Sequence, residues 1–108
     1  MRLRNATLAA ASAIALVLAV PASAGAATGD FLYKVGRGAE TGLADPVSGE
    51  CVDLPGATTG VPAFAPENHT RSTATAYLDF DCAGDVFFVM LPGKKYGNRL
   101  HLRSVVFS

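Results

Sequence analysis

Between residues 28 and 108, apolar and polar positions fall into short runs that are separated by glycine and proline. Five of these runs are rich in β-branched or aromatic residues, and they cover residues 31–35, 47–54, 73–82, 86–91 and 99–107. Runs of this length and composition, bounded by Gly or Pro, are typical of β-strands. No stretch in this part of the sequence keeps an apolar period of 3.6 residues, so no helix is expected. The pattern predicts an all-β fold.

The run at residues 73–82 shows the clearest alternation of apolar and polar positions. Its even positions fall on one face of a strand, and they are Ala74, Ala76, Leu78, Phe80 and Cys82. This face is apolar, so Cys82 is predicted to point into the core. Cys51 is less regular, because Val52 and Leu54 would lie on the opposite face of its strand. A bulge or register change is therefore expected near Gly49.

Two tetrapeptides predict tight turns, and they are Leu54-Pro55-Gly56-Ala57 and Leu91-Pro92-Gly93-Lys94. Each places Pro where φ is about −65° and Gly where φ is positive, as a type II turn requires. Residues 55–66 are rich in Pro, Gly, Thr and Ala and do not alternate, which predicts a long surface connection. A Greek key uses a connection of this length to return a strand to the far side of its sheet.

Residues 1–27 have the order of a secretory signal peptide. Two arginines precede an apolar run at residues 8–20, and a stretch of small residues follows. The apolar run has 13 residues, whereas a helix that spans a bilayer needs about 20, so no membrane span is expected. Cleavage is expected after Ala24, with Ala26 and Ala27 as alternative sites. The protein is therefore predicted to be secreted and extracellular.

The domain that remains, residues 28–108, is too small for two cores and holds both cysteines of the chain, Cys51 and Cys82. Export delivers these cysteines to an oxidising compartment, so a structural disulfide is expected. A disulfide that closes a loop of about thirty residues stabilises a protein by about 3.7 kcal/mol in the chain-entropy model. No C-x-x-C motif is present, and two Cys with two distant His do not match the usual zinc spacings.

Charge is distributed unevenly along this domain. Seven basic and nine acidic residues give it a net charge of −2, yet residues 86–108 carry bases alone, which are Lys94, Lys95, Arg99 and Arg103. Two interpretations stay open. Adjacent strands neutralise each other across the sheet, or Lys94, Lys95 and Arg99 form a basic edge that binds an anionic partner such as a wall polymer. Nucleic acid is not an expected partner, because the domain is acidic and lacks interleaved aromatic and basic residues.

An imperfect internal repeat links the two halves of the domain. Residues 77–84, Tyr-Leu-Asp-Phe-Asp-Cys-Ala-Gly, resemble the folded-hairpin signature of βγ-crystallin Greek keys, and residues 31–38, Phe-Leu-Tyr-Lys-Val-Gly-Arg-Gly, form an imperfect first copy. Cys82 and Gly36 stand where that family usually has an aromatic residue. The resemblance is to small secreted bacterial members, which include metalloproteinase inhibitors and killer-toxin-like proteins. It implies a single-domain crystallin-like Greek-key sandwich in which Ser104 caps a hairpin.

The resemblance also implies a calcium site at residues 68–73, Asn-His-Thr-Arg-Ser-Thr, with Asn68 and Ser72 as ligands. Calcium takes six to eight hard oxygen ligands, and neither His69 nor the cation Arg71 supplies one. We therefore expect a degenerate, structural loop with weak calcium affinity at most, and no other cofactor.

Candidate catalytic groups are sparse in this sequence. Asp79, Asp81 and Asp85 cluster around Cys82, but paired carboxylates hydrolyse glycosides only in a substrate cleft, which a domain of this size rarely encloses. His69 and His101 are present without a G-x-S-x-G motif. No enzymatic activity is expected.

The expected function is therefore binding. The resemblance implies inhibition of an extracellular protease, and the candidate contact loop is the connection at residues 55–66, with Val61, Pro62, Ala63 and Phe64, preorganised by the disulfide. One alternative is a killer-toxin-like or cell-wall-active antimicrobial protein, for which the basic edge matters more. A structural extracellular protein is the other alternative. In each case the chain is expected to be a monomer.

Overall fold

A computed structural model describes residues 25–108, and in these residues eight β-strands form two antiparallel sheets without an α-helix. The predicted signal peptide lies outside the described residues as far as Ala24. Within residues 25–108 no helix is long and apolar enough to cross a membrane. The strands in chain order are β1 (Gly29–Val35), β2 (Ala39–Ala44), β3 (Cys51–Asp53), β4 (Ala63–Thr70), β5 (Ala74–Tyr77), β6 (Phe87–Met90), β7 (His101–Leu102) and β8 (Ser104–Phe107). The all-β prediction is confirmed.

The strand order shows that the two halves of the chain are interlocked. Sheet 1 has the order β2-β1-β4-β7, and sheet 2 has the order β3-β8-β5-β6. The first half of the chain contains β1 to β4, and the second half contains β5 to β8. Each half contributes three strands to one sheet, and its remaining strand, β3 or β7, lies at the edge of the other sheet. The pairing of β1 with β2 and β4 is thereby repeated in the pairing of β5 with β6 and β8. Neither sheet forms from one half of the chain alone.

The core lies between the two sheets and is built from inward-facing side chains, which occupy alternate positions along the strands. Phe31 and Tyr33 of β1 are buried, as are Val105 and Phe107 of β8. The rings of Phe31 and Phe107 meet edge to face with their centroids 5.4 Å apart. Met90 of β6 is fully buried and belongs to the same core cluster. Aromatic residues from both sheets therefore hold the sandwich together.

Two strands, β2 and β4, were not predicted from the sequence. β2 carries a Glu and a Gly and is exposed along most of its length, so it has neither the composition nor the alternation of a typical strand. β4 contains Pro66, which normally argues against a central strand. A register shift against β1 and a positive φ of 52° at Ala65 interrupt the ladder immediately before Pro66. The prediction that residues 55–66 form one surface connection is therefore wrong from Ala63 onward.

The strand predicted at residues 73–82 ends early, at Tyr77, and the chain then bends into a 3₁₀ turn at Phe80–Cys82. Asp81 and Cys82 both take positive φ values, 60° and 51°, which carry the chain back over the outer surface of sheet 2. The Cys51–Cys82 disulfide is confirmed. Cys51 is nevertheless exposed and Cys82 half-buried, so the prediction that Cys82 points into the core is wrong. The turn, and not the strand alternation, sets its direction.

Ser104 lies under this turn and holds it against β8. Because Val105 and Phe107 face the core, Ser104 points to the outer side of sheet 2, yet it is fully buried. Its hydroxyl accepts a hydrogen bond from the Cys82 backbone N–H at 2.8 Å and donates to the Asp79 carbonyl oxygen. The hydroxyl therefore holds the 3₁₀ turn of the β5–β6 connection against β8.

Both predicted type II turns are present. The Ala57 N–H donates to the Leu54 carbonyl oxygen at 3.1 Å, and the Lys94 N–H donates to the Leu91 carbonyl oxygen at 2.9 Å. Gly56 and Gly93 take the positive φ that the third position of such a turn needs, 93° and 89°. These two turns begin the two long connections that cross between the sheets.

We predict that Ser104→Ala lowers the free energy of unfolding by about 2 kcal/mol, because it leaves one donor and one acceptor of the turn without partners. The measurement is urea unfolding of the oxidised protein. Ser108→Ala removes a hydroxyl from an exposed position and should change stability by less than about 0.5 kcal/mol. Equal effects of the two substitutions would show that the Ser104 hydroxyl does not hold the turn.

Candidate functional site

The connection between β3 and β4, residues 54–62, is a largely exposed segment that runs from sheet 2 to sheet 1. After the type II turn at its start it makes a second turn, in which the Thr58 N–H donates to the Val61 carbonyl oxygen at 2.8 Å. The Val61 N–H in turn donates to the Thr58 hydroxyl at 2.9 Å. The backbone of this turn is therefore satisfied internally, without a neighbouring strand.

The start of the connection is fixed to β1. The Tyr33 hydroxyl, which belongs to a fully buried side chain, donates to the Pro55 carbonyl oxygen at 2.9 Å. Burial raises the pKa of Tyr33, so its hydroxyl keeps the proton that makes this bond. Gly56 lies so close to β1 that a Cβ there would come within 2.9 Å of the Val35 side chain. A bulkier residue at this position would push the connection off the sheet.

Arg103 fixes the middle of the connection. Its Nε donates to the Thr58 carbonyl oxygen at 2.8 Å, and its Nη2 donates to the Thr59 carbonyl oxygen at 2.8 Å. The third guanidinium contact, from Nη1, reaches the Leu78 carbonyl oxygen at 3.0 Å. Among the described residues, the salt bridges do not include Arg103. One guanidinium therefore joins the connection to the hairpin between β5 and β6 through backbone carbonyls alone.

The backbone of Arg103 is also engaged, since its N–H donates to the Tyr77 carbonyl oxygen at 2.8 Å and its carbonyl accepts from the Leu54 N–H at 2.9 Å. Arg103 lies between β7 and β8, and these bonds join its backbone to Tyr77 of β5 and to Leu54, which directly follows β3. The strand that was predicted at residues 99–107 is therefore two strands, which are separated at Arg103. Sequence reasoning missed this residue. The available signal was a single cation inside the apolar run from Leu102 to Val106, where a charge needs several polar partners.

The four residues predicted to contact a partner are not equally accessible. Val61 is 49% exposed, and Pro62 is half-buried. Ala63 is fully buried in the core, and Phe64 is half-buried within β4. Within the candidate loop the exposed residues are Pro55, Gly56 and residues 58–61. We call residues 58–61, the exposed segment that Arg103 holds, the braced loop.

The three cations of the predicted basic edge lie on the exposed segment between β6 and β7. The Lys94 ammonium is 5.0 Å from the centre of the Tyr96 ring, which is a cation–π distance. The Lys95 ammonium is 4.0 Å from a carboxylate oxygen of Glu67. Two of the three cations thus have partners within the protein, and Arg99 is exposed.

Glu67 on β4 accepts a hydrogen bond from His69 at 2.9 Å. This bond, with the positive charges of Lys95 and Lys34, lowers the pKa of Glu67. Both side chains are partly exposed, so the pair adds little to stability. What it adds is present above the unfolded-state pKa of Glu67 and is lost as pH falls through the lower folded-state pKa.

Asn68, the first predicted calcium ligand, is fully buried and uses its whole side chain within the protein. Its amide nitrogen donates to the carbonyl oxygens of Ser72 and Met90 at 2.8 and 2.9 Å. Its amide oxygen accepts from the N–H and the hydroxyl of Thr70 at 3.0 and 2.7 Å. A carboxamide has two donors and room for two acceptor contacts, so Asn68 has no lone pair left for an ion. It joins β4, the β4–β5 connection and β6.

The carboxylates near the disulfide are spread over the exposed hairpin. Asp79, Asp81 and Asp85 are all exposed, and the Asp53 carboxylate accepts the Asp81 N–H at 2.8 Å. Within residues 25–108 no group of three or more His, Cys, Asp or Glu side chains is placed to hold a metal ion, and no enclosed pocket is found.

Comparisons of the chain with protein-family models, with curated proteins and with solved structures find no match. The function must therefore be inferred from the contacts of its own residues. The braced loop is an exposed segment in which two backbone carbonyl oxygens accept hydrogen bonds from one side chain 44 or 45 positions away in the chain.

We predict that Asn68→Asp lowers the free energy of unfolding by about 3 kcal/mol or more at pH 7, because two carbonyl oxygens would then face a buried carboxylate. The introduced carboxyl should have a raised pKa in the folded state. Its cost should therefore grow as pH rises through the unfolded-state value of about 4. Urea unfolding at several pH values measures this.

The same experiment tests the calcium site. Millimolar calcium should not reverse the loss, whereas a calcium loop would gain a ligand from Asn68→Asp and be stabilised. Asn98→Asp makes the same chemical change at an exposed position and should shift stability by less than about 0.5 kcal/mol.

Proposed function

We propose that this protein is a secreted binding protein without catalytic activity, and that it inhibits an extracellular protease through the braced loop, residues 58–61. The observation that carries the proposal is the brace itself. Two carbonyl oxygens of the loop accept hydrogen bonds from Arg103, while the Val61 side chain next to them is half exposed.

A loop that is fixed before it binds loses little conformational entropy in the complex, and this is the main physical requirement for an inhibitory loop. Three elements supply the rigidity. Tyr33 holds the start of the connection, and Arg103 ties its middle to the β5–β6 hairpin. The Cys51–Cys82 disulfide joins that hairpin to β3, the strand that leads into the connection. The disulfide therefore links the hairpin that Arg103 contacts to the strand from which the connection starts.

In the proposed complex the exposed Val61 side chain enters an apolar pocket of the protease. The loop carbonyls of Thr58 and Thr59 already accept from Arg103, so they do not need new donors from the partner.

We also propose that the fold is a crystallin-like Greek-key sandwich. Two observations support this: the exchange of β3 and β7 between the sheets, and the Ser104 hydroxyl that caps the β5–β6 hairpin. The first copy of the sequence repeat differs in structure. Phe31 is buried in the core, and β1 runs straight into β2 through a short turn at Gly36 to Gly38. The order of strand pairing is therefore the same in the two halves of the chain, whereas the two copies of the sequence motif have different structures.

Secretion is part of the proposal and rests on the signal-like residues 1–24 and on the disulfide, which is compatible with an extracellular location. The alternative, a wall-active protein, would use Lys94, Lys95 and Arg99.

We predict that Val61→Lys weakens inhibition of the same protease by about 100-fold or more, because it places a charge in an apolar pocket. Titration of enzyme activity across a panel of extracellular proteases measures the inhibition constant. Val89→Lys is the matched control, since Val89 is 51% exposed but lies on β6, away from the braced loop. It should inhibit as the wild type does.

Three results would contradict the proposal. They are the absence of inhibition across the panel, equal loss in Val61→Lys and Val89→Lys, and loss in Lys94→Glu with Arg99→Glu while Val61→Lys stays active. The last result would favour the basic edge.

A further prediction concerns the mature N-terminus, which we expect to be Gly25. Ala27 is fully buried, and its N–H donates to the Pro46 carbonyl oxygen at 2.7 Å. The Gly25 carbonyl oxygen accepts the Ser48 N–H at 3.1 Å. Cleavage after Ala26 would remove the Gly25 contact and cleavage after Ala27 would remove both contacts, whereas cleavage after Ala24 keeps them. Mass spectrometry of the secreted protein decides this, and an N-terminus at Ala27 or Thr28 would show that the contacts are dispensable.

A further inference from the structure

The two sheets have four edge strands, and three of them are protected against pairing with another strand. β2 carries Glu40 and is otherwise largely polar or small, and β7 has two residues. β3 has three residues, one of them Asp53, and the disulfide covers its outer face. Charged residues, short length and covering segments are the usual protection of sheet edges. The fourth edge strand, β6, has four residues, and none of them is charged.

β6 lies in an uninterrupted apolar run, residues 86–91, Val-Phe-Phe-Val-Met-Leu. Within the described residues it pairs with β5 alone. Its outward-facing side chains, Phe87, Val89 and Leu91, are 50%, 51% and 63% exposed. The Phe87 ring lies 5.6 Å from the ring of Tyr77 on β5, which extends the apolar surface across the sheet. A strand edge and an apolar sheet face are thus exposed at the same place.

The charges at the two ends of this run have opposite signs. Asp85 directly precedes it, and Lys94 and Lys95 follow it across the type II turn at residues 91–94, in which the Lys94 nitrogen lies 2.9 Å from the Leu91 carbonyl oxygen at the end of the run. When two copies of such a strand pair antiparallel, the beginning of each strand lies beside the end of the other. The acid of one copy then approaches the bases of its partner at both ends, and no charge lies between them.

We propose that β6 pairs antiparallel with β6 of a second copy of this chain, which joins sheet 2 of both copies into one continuous eight-stranded sheet. A two-fold pairing uses the same edge twice and closes after two copies. It satisfies the unpaired edge and covers part of the exposed apolar face, and the flanking charges fix the antiparallel direction. The proposed dimer differs from the monomer that was expected from the sequence.

Sedimentation of the oxidised protein, residues 25–108, tests the proposal across a range of concentrations. The wild type should be a dimer that dissociates on dilution. Val89→Lys should raise the dissociation constant by about 100-fold or more, because like charges meet near the two-fold axis. Val61→Lys adds the same charge at an equally exposed position outside sheet 2 and should dimerise as the wild type does. The loss of inhibition in Val61→Lys and the loss of the dimer in Val89→Lys are then independent results, so the two proposals can fail separately.

A charge exchange provides a test that does not place a charge within β6. Asp85→Lys should weaken the dimer, and Lys94→Glu with Lys95→Glu should weaken it by a similar factor. Combining all three changes should restore it, and the restoration should weaken in high salt. Circular dichroism confirms that each variant is folded.

A wild type that stays monomeric at its highest soluble concentration overturns the proposal. A dimer that Val89→Lys leaves intact does so as well, because another surface would then form the interface. Open-ended fibrils, or a monomer that binds an extended apolar peptide at β6, would likewise exclude the closed pairing of two copies.

Discussion

Arg103 and Ser104 are two adjacent residues at the entry to β8, and their side chains hold in place the segments that cover one side of the sandwich. The Arg103 guanidinium reaches three backbone carbonyls on two different segments, and the Ser104 hydroxyl bonds to two backbone groups of the 3₁₀ turn. Every one of these contacts links residues at least 22 positions apart in the chain. Irregular segments without strand partners have to satisfy their backbone groups in some other way. The geometry of the braced loop and of the β5–β6 hairpin therefore depends on this one short stretch.

The exchange of β3 and β7 between the sheets makes this arrangement cooperative. β8 lies between β3 and β5, so a shift of β8 would move the disulfide, the 3₁₀ turn and the start of the connection that ends in the braced loop. A domain of this size buries a modest apolar core, and it needs additional constraints to hold exposed segments in one conformation. The disulfide, the Asn68 side chain and Arg103 provide such constraints at three different places around the core. A rigid exposed loop is thus compatible with a small sandwich, which is the physical basis for the proposed inhibitory role.

The same alternation that builds the core creates the exposed strand β6. Phe88 and Met90 turn inward, and Met90 is fully buried, so Phe87 and Val89 must face outward. In the other edge strands the outward positions are polar or covered, but here they are apolar on a strand with an open edge. The braced loop and β6 are different surfaces of the molecule, so inhibition of a protease and pairing of two copies do not compete for the same residues. A dimer would carry two braced loops.

The sequence by itself determined the all-β class, the disulfide partners and the two type II turns, because each follows from local chemistry: short apolar runs between Gly and Pro, two cysteines in one small domain, and Pro-Gly pairs. It did not determine β2 and β4, whose composition is poor for strands and which exist because β1 pairs with both of them. It also misplaced Cys82, since two consecutive positive φ values break the alternation that the prediction assumed. The tertiary structure alone decided the roles of Arg103 and Asn68. Arg103 takes all its side-chain hydrogen-bond partners from distant segments, and Asn68 takes one of them, Met90, from 22 positions away. These partners are backbone carbonyls, which every residue has, so they leave no mark in a sequence.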